Sequence, residues 1–320
     1  MILLAERGEP SRYGGLWSAP ACGVLKDMKL LDNLQAEEGI LQLPTRGGFL
    51  SPAGFTCKME AADDDESGDV YPAYAAERSA IEKRLSAAAE RAGCTIAATK
   101  KLEQLSRSGA GERKGWTATV EGGEVFKAQF VVDCGSSLPK EGNSILHPTT
   151  GLVSLGLDGT APTQVAQAAP AFRAPPAKTY AEAYFLVGPA AGHVDPWTGE
   201  VDRNAMLAAR YAGIYAAQLL DRGDITEENC VVYHHRCHDD FLHRLSGQAR
   251  VAAILYRLPF LIDALISIGQ ARADFLVTAA EALAGARPRY HFLWPGLAVP
   301  AGWEAVMQLL RISSPKAKAE

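Results

Sequence analysis

The segment Tyr184-Phe185-Leu186-Val187-Gly188-Pro189-Ala190-Ala191-Gly192-His193-Val194-Asp195-Pro196-Trp197-Thr198-Gly199-Glu200 decides the fold. Its apolar opening, Tyr184 to Val187, has the length of a strand and stops at Gly188. Small residues follow, and Pro196 precedes an amphipathic helical pattern over 204–220. The reading is a buried strand, a turn of small residues and the mouth of a helix. Such a turn lets a ligand approach the backbone. The helix mouth offers unpaired N–H groups and the positive end of the helix dipole, which suit a phosphate or an electron-rich carbonyl edge. On spacing alone, an ordinary strand-to-helix connection explains the same pattern.

Upstream, Met1 to Ala5 is strand-like, and Glu6 closes it with Arg7 just before the turn residues Gly8 and Pro10. A carboxylate at such a strand end accepts hydrogen bonds from a ribose diol in dinucleotide-binding folds, although a surface glutamate is the commoner case. A helix is predicted from Arg78 to Ala92, with Ile81, Leu85, Ala88 and Ala89 on one face and Gly93 as its stop. The stretches 102–106, 116–120 and 124–132 read as a three-stranded meander leading into Asp133-Cys134-Gly135. The interval from Gly135 to Gly188 is rich in Pro, Ala and Thr, with an extended linker at 170–176. Beyond Gly223 the chain reads as helical to about Ala286, and Pro288 ends the pattern.

The stretch from Val187 through Ala216-Ala217 resembles the second flavin-binding motif of FAD-dependent oxidoreductases of the geranylgeranyl reductase type. That motif reads Gly-Asp-Ala-Ala-Gly, then a Pro-x-x-Gly-Glu-Gly loop, then an Ala-rich helix. Here Pro189 stands at the Asp that bonds the ribityl chain, and Val201 at the last Gly. Residues 1–8, followed by Gly15 to Ser18 and Val24 to Lys26, look like the family's second strand and the loop after it. The segment around Arg78-Ser79 is similar to its Arg-Ser-x-Phe-Asp-x-x-Leu element, and Phe130 to Ser136 to its returning strand. In that strand the last two residues of the Asp-Cys-Ser-Gly pattern are inverted. The resemblance covers most of 1–285. It implies FAD as cofactor, reduced nicotinamide, NAD(P)H, as electron donor, and cofactor contacts from Glu6, Arg7, Arg78, Gly135, Gly188, Pro189, Pro196, Thr198, Gly199 and Glu200. It also implies that the first strand and its Gly-x-Gly-x-x-Gly turn are missing, and three explanations stand side by side: a mis-called start codon, a truncated chain, or a paralogue that has lost the cofactor.

Composition bounds the alternatives. The 320 residues, 48% hydrophobic and 22% charged, suffice for a full core and perhaps two domains. A formal charge of −5 without a basic stripe argues against a nucleic-acid partner. Six scattered cysteines without a CxxC pair suit free thiols in a reducing cytoplasm. The apolar stretch 251–268 carries Arg257, Pro259 and Asp263, which argues against a transmembrane helix and leaves peripheral membrane contact open. The cluster His234, His235, Cys237, His238, Asp239, Asp240 and His243 is dense in ligand-type residues. It lacks an obvious fourth ligand, and a polar helix face is the simpler reading, so no metal is expected. The Cys237 thiol is the best redox candidate, though buried thiols are usually inert. No Gly-x-Ser-x-Gly elbow supports nucleophilic hydrolysis.

The expected architecture is α/β: a Rossmann-like parallel sheet without its first strand, an antiparallel meander, a reduced substrate sheet and a helical C-terminal region. Residues 1–39, 76–136 and 181–222 form the expected discontinuous FAD-binding domain, 40–75 and 137–180 a reduced cap, and 223–320 the helical region. The expected activity is reduction or monooxygenation of an apolar small molecule such as an isoprenoid, an acyl chain or an aromatic natural product; no catalytic side chain can be named. The competing reading is a cofactor-free binding or scaffold protein derived from a flavoprotein. It follows from the expected loss of the glycine turn, the two substitutions Pro189 and Val201, and the short middle.

Overall fold

The computed structural model describes residues 2–5, 15–17, 19–30, 40–42, 46–50, 54, 56–60, 74–76, 78–98, 102–108, 115–134, 153–154, 163–164, 175–196 and 202–271. The described strands are β1 (Ile2–Ala5), β2 (Gly15–Trp17), β3 (Ile40–Gln42), β4 (Arg46–Leu50), β5 (Thr56–Glu60), β6 (Tyr74–Ala76), β7 (Thr95–Ala98), β8 (Leu102–Ser108), β9 (Gly115–Val120), β10 (Val125–Ala128), β11 (Val131–Asp133), β12 (Val153–Ser154), β13 (Thr163–Gln164), β14 (Tyr180–Ala181) and β15 (Tyr184–Leu186). The helices are α1 (Ala19–Asp27), α2 (Arg78–Arg91), α3 (Asp202–Arg222), α4 (Glu227–Cys237), α5 (His243–Arg257) and α6 (Pro259–Ala271).

Parallel pairing occurs twice. β1 runs alongside β7, Ile2 opposite Thr95 through Ala5 opposite Ala98. β11 runs alongside β15, Val131 opposite Tyr184 through Asp133 opposite Leu186. Parallel strands need a long crossover, and helices supply it in α/β folds. The remaining pairs are antiparallel: the expected meander β10-β9-β8, the sheet β2-β6-β3, and the hairpins β4-β5, β12-β13 and β14-β15. The mixture of parallel pairs, small antiparallel sheets and a helical C-terminal part matches the expected α/β class.

The meander departs from the sequence reading at its end. The stretch expected as one strand over 124–132 is two, because Gln129 and Phe130 carry the chain from β10, paired with β9, to β11, paired with β15. The meander is fastened to the second parallel pair by side chains. Trp116 donates its indole N–H to Ala183 O at 2.9 Å, and Arg107 bonds Glu182 O at 3.0 Å and its carboxylate at 2.7 Å. Ala183 sits at φ 53, a conformation an L-residue adopts at a cost, in the tight turn that joins β14 to β15.

Helix ends follow local chemistry. Gly93, at φ 84, ends α2, with Cys94 N–H reaching Ala89 O at 2.9 Å. Gly223, at φ 68, ends α3, with Asp224 N–H reaching Leu219 O at 3.1 Å. Both are left-handed caps in which glycine lacks the Cβ that would clash. Helix α1 falls in a stretch expected as the loop after the first strand. It ends on Lys29 in the same left-handed conformation, φ 56, with Leu30 N–H on Leu25 O at 2.8 Å. The helix is held by burial: Ala21, Cys22 and Leu25 pack with Ile81 of α2, and Leu30, Leu85 and Met206 close over them.

The main core lies between the second parallel pair and the helices. Ala208, Ala212 and Ala216 of α3 recur every four residues on its buried face, and their small size lets α3 pack closely on β15 and α4. Phe185 is fully buried between two rings, stacked on Tyr233 at 4.4 Å and edge-on to Phe130 at 4.7 Å. The Tyr233 hydroxyl donates to Leu186 O at 2.9 Å, so the ring that fills the core also satisfies a strand carbonyl.

Between α4 and α5 the helix does not stop; residues His238–Leu242 form one turn of π-helix. The break between α5 and α6 comes at Leu258, forced out of helical geometry (φ −125, ψ 73) by Pro259. Among the described residues no single helix is long and apolar enough to cross a membrane.

Candidate functional site

The expected strand, turn and helix are in place. β15 ends at Leu186, and Val187 donates its N–H to Asp133 O at 2.8 Å, extending the parallel pairing by one rung. Gly188–Ala191 then form a 3₁₀ turn, and Gly192 reverses it at φ 70, its N–H on Pro189 O at 3.0 Å. Gly188 itself sits at φ 73. A Cβ there would meet Ala205 Cβ and Cys134 O at 3.9 Å, ordinary contact distance, so the turn needs glycine for its backbone conformation and not for space. Helix α3 follows from Asp202, whose carboxylate in the first turn complements the helix dipole.

The turn is built around a side chain that sequence reasoning passed over. His193 is fully buried, and its Nδ1 accepts the Gly188 N–H at 3.1 Å. Its own N–H closes the turn on Gly188 O, also at 3.1 Å. Because Nδ1 accepts, the ring proton resides on Nε2. That atom is buried and has no hydrogen-bond partner among the described residues. The ring stands edge-on to Phe241 at 5.1 Å, while Val194 packs on Ala249 of α5. Burial, with a lesser contribution from His234, pushes the imidazole down to about 3, so the ring is neutral at physiological pH. The signal in the sequence was a histidine inside an otherwise apolar and small-residue turn.

Of the residues the sequence singled out, Gly188 and Pro189 lie in this turn, and Pro196 is buried eight residues beyond Gly188. Arg78 begins α2. Glu6, Arg7, Gly135, Thr198, Gly199 and Glu200 lie outside the described residues. Within the turn the Gly188 N–H is taken by His193, Pro189 has none, and the Gly192 and His193 N–H groups bond to turn carbonyls.

The strand end facing the turn carries a second polar pair. Tyr184 donates its hydroxyl to Asp133 Oδ2 at 2.7 Å. Burial, followed by that bond to the carboxylate, raises the phenol well above its ordinary value and keeps it protonated.

The histidine-rich stretch turns its members to separate partners. His234 Nδ1 meets the buried Thr179 hydroxyl at 3.0 Å, and His243 Nδ1 meets His238 O at 2.6 Å. Asp240 takes the Tyr211 hydroxyl and an Arg236 guanidinium at 3.4 Å. Among the described residues no three ligand-type side chains converge as a metal would require. Cys237 is fully buried, and its thiol is pushed up to about 12, chiefly by burial, which removes its thiolate from physiological chemistry.

No family model matches the sequence. Two curated relatives do so over short stretches. Conditioned medium factor receptor 1 of Dictyostelium discoideum is 32% identical over 119 residues, 37% of this chain and 23% of the relative. Digeranylgeranylglycerophospholipid reductase 1 of Methanococcoides burtonii is 36% identical over 101 residues, 32% of this chain and 24% of the relative. The match thus spans about a quarter of the length of either relative. Solved structures agree over far more of the chain. A geranylgeranyl bacteriochlorophyll reductase-like protein from Thermoplasma acidophilum superposes with a TM-score of 0.63, covering 88% of this chain and 89% of its own at 16% identity. This chain shares the fold of that protein. The same fold extends to a probable FAD-dependent monooxygenase from Pseudomonas aeruginosa, with a TM-score of 0.54, 11% identity, and coverage of 81% of this chain and 90% of the other. That shared fold is the one the strand, turn and helix at 184–220 had indicated.

Proposed function

We propose that this chain is an oxidoreductase that binds FAD at the turn 188–196 and the mouth of α3 and reduces or oxygenates an apolar small molecule. The observation that carries the reading is the buried strand, turn and helix on the parallel pair β11-β15, within a fold shared along 88% of the chain with a reductase-like protein. An orphaned buried donor, His193 Nε2, fits a ligand at this turn, because a native protein seldom leaves such a group unpaired. Glu6, Arg7, Arg78, Gly135, Gly188, Pro189, Pro196, Thr198, Gly199 and Glu200 are the proposed cofactor contacts, contributed by a flavin domain made of 1–39, 76–136 and 181–222. Segments 40–75 and 137–180 are the proposed cap, and 223–320 the helical part.

Bound FAD supplies two-electron chemistry, with NAD(P)H as the proposed source of hydride. The chain's own tasks are binding and exclusion of water. The parallel pair holds the turn rigid, the first turn of α3 presents its dipole, and the neutral His193 ring offers a proton donor without adding charge. The kinship in fold with a reductase-like protein, and the stretch matching a digeranylgeranylglycerophospholipid reductase, support an isoprenoid or acyl substrate.

A specific observation favours a second reading, the cofactor-free scaffold: Pro189 has no N–H and no polar side chain where the resemblance places an Asp, and the Gly188 N–H is engaged by His193. The separating experiment is an absorbance scan of the purified chain, as isolated and after incubation with FAD and desalting. Flavin bands that survive desalting are expected. Protein that emerges colourless after incubation overturns the flavoenzyme reading in favour of the scaffold.

A further inference from the structure

We propose that the corner where α5 meets α6 docks the protein on an anionic lipid surface, with Leu258 and Phe260 entering the acyl region, Ile254 lying against it and Arg257 held at the level of the phosphates. The proposal stands apart from the FAD reading, since it uses no residue of the turn at 188–196.

Three large apolar side chains are exposed at this corner: Ile254 at 53%, Leu258 at 42% and Phe260 at 36%. On either side of it the helices are anchored in the protein. Ala249 and Ala252 of α5 are buried, as are Ala264 and Ile268 of α6. The exposure therefore belongs to the joint and not to helices that lack an inner face. The helical run ending at Leu255 and the helix from Phe260 meet at 101°, so the joint projects as a corner. Clustered exposed apolar side chains mark interaction sites.

The local charge names the kind of partner. From Phe241 to Ile262 the chain carries Arg244, Arg250 and Arg257 and no Asp or Glu, within a protein whose net charge is −5. Arg257 is exposed, between Ile254 and Leu258 in sequence, and the next acid, Asp263, is half-buried one turn into α6. An arginine beside apolar side chains lays its stem along acyl chains and keeps its guanidinium among the phosphates. The corner's backbone suits the same surroundings. Leu258 donates its N–H to Ile254 O at 3.0 Å, Leu261 to Leu258 O at 2.9 Å, and Pro259 has none. Donors so satisfied enter a layer poor in water at little cost. A stable protein interface buries about 800 Å² on each partner, more than three partly exposed side chains supply. A leaflet accepts side chains singly and needs no complementary shape.

Sedimentation of the full chain with mixed phosphatidylcholine and phosphatidylserine vesicles tests the proposal. The parent should pellet with them, less so with phosphatidylcholine alone and less as salt rises. Leu258→Ser combined with Phe260→Ser should weaken the partition at least about tenfold, and Arg257→Gln about fivefold, one charge's worth near such a surface. Arg257→Gln, a change at an exposed helix end, carries the test by itself should the serine pair not fold. Val125→Ser removes an exposed apolar side chain from β10, away from the corner, and should leave binding unchanged. A parent that stays in the supernatant overturns the proposal. So does vesicle binding that the serine pair and Arg257→Gln leave intact, or that Val125→Ser weakens as much. Conversion of a dimer to a monomer by the serine pair, seen by sedimentation velocity without lipid, assigns the corner to a second copy of the chain and overturns the lipid reading. Flavin binding is read separately by the absorbance scan, so either reading can fail alone.

Discussion

Replacing Phe185 by alanine should destabilise the protein by about 3–5 kcal/mol, the range for emptying an aromatic site in a well-packed core. Phe185 has no exposure to solvent and lies between the faces and edges of Tyr233 and Phe130, so neither neighbour can tip inward without losing its own contacts. Tyr233 is further tied by its hydroxyl to Leu186 O, which resists collapse into the void. Leucine at the same position keeps most of the volume and loses the ring contacts, and should cost about 1–2 kcal/mol. Urea unfolding followed by tryptophan fluorescence measures both. A loss below about 1 kcal/mol for alanine would mean that the sandwich of rings is not what holds β15 on the helices.

Acidification should weaken the fold through His193. In the unfolded chain this imidazole takes a proton near pH 6.5, whereas in the fold burial keeps it neutral down to about pH 3. The folded value lies below the unfolded one, so the contribution is complete above about pH 6.5, shrinks as pH falls, and is gone once the pH passes below about 3. Within that window the slope is roughly 1.4 kcal/mol per pH unit, because unfolding takes up one additional proton. His234 is displaced in the same direction, first by burial and then by His235 and His238, and adds to the trend. Comparing the parent with His193→Asn isolates the effect: between pH 6 and 5 the parent should lose about 1.2 kcal/mol more than the variant. Parallel losses in the two proteins would show that His193 already titrates normally in the fold.

Where the sequence could be read, the reason was local. The strand at 184–187 and the helix after it were legible from an apolar run, a glycine and a 3.6-residue pattern, and the end of α2 from Gly93. Helix α1 escaped because its stop is Lys29 in a left-handed conformation, so the usual glycine signal was absent, and because its stability comes from packing against Ile81 and Met206, far away in sequence. The junction at Gln129 and Phe130 escaped because β10 and β11 are both extended and only two residues apart; their partners, β9 and β15, distinguish them. His193 escaped for the opposite reason. Its bond to Gly188 spans five residues, but nothing in residue types tells that an imidazole will turn back onto a glycine N–H. The π turn did leave a trace, in apolar residues that step by four from Tyr233 through Cys237, Phe241, Leu245 and Ala249.

That stepping has a consequence for how the chain tolerates changes in length. A regular α-helix advances 100° per residue, so three steps of four from Cys237 to Ala249 would carry the buried face a third of the way round the axis. The wide turn at His238–Leu242 takes up one surplus residue and returns α5 to the phase of α4. Loss of a single codon within 238–242 therefore leaves a regular helix with both ends still facing the core. The same loss within α4 or α5 turns everything beyond it by 100° and presents the wrong face. The π turn is thus the one joint in this long helical run where the gene can shorten without changing which residues face inward.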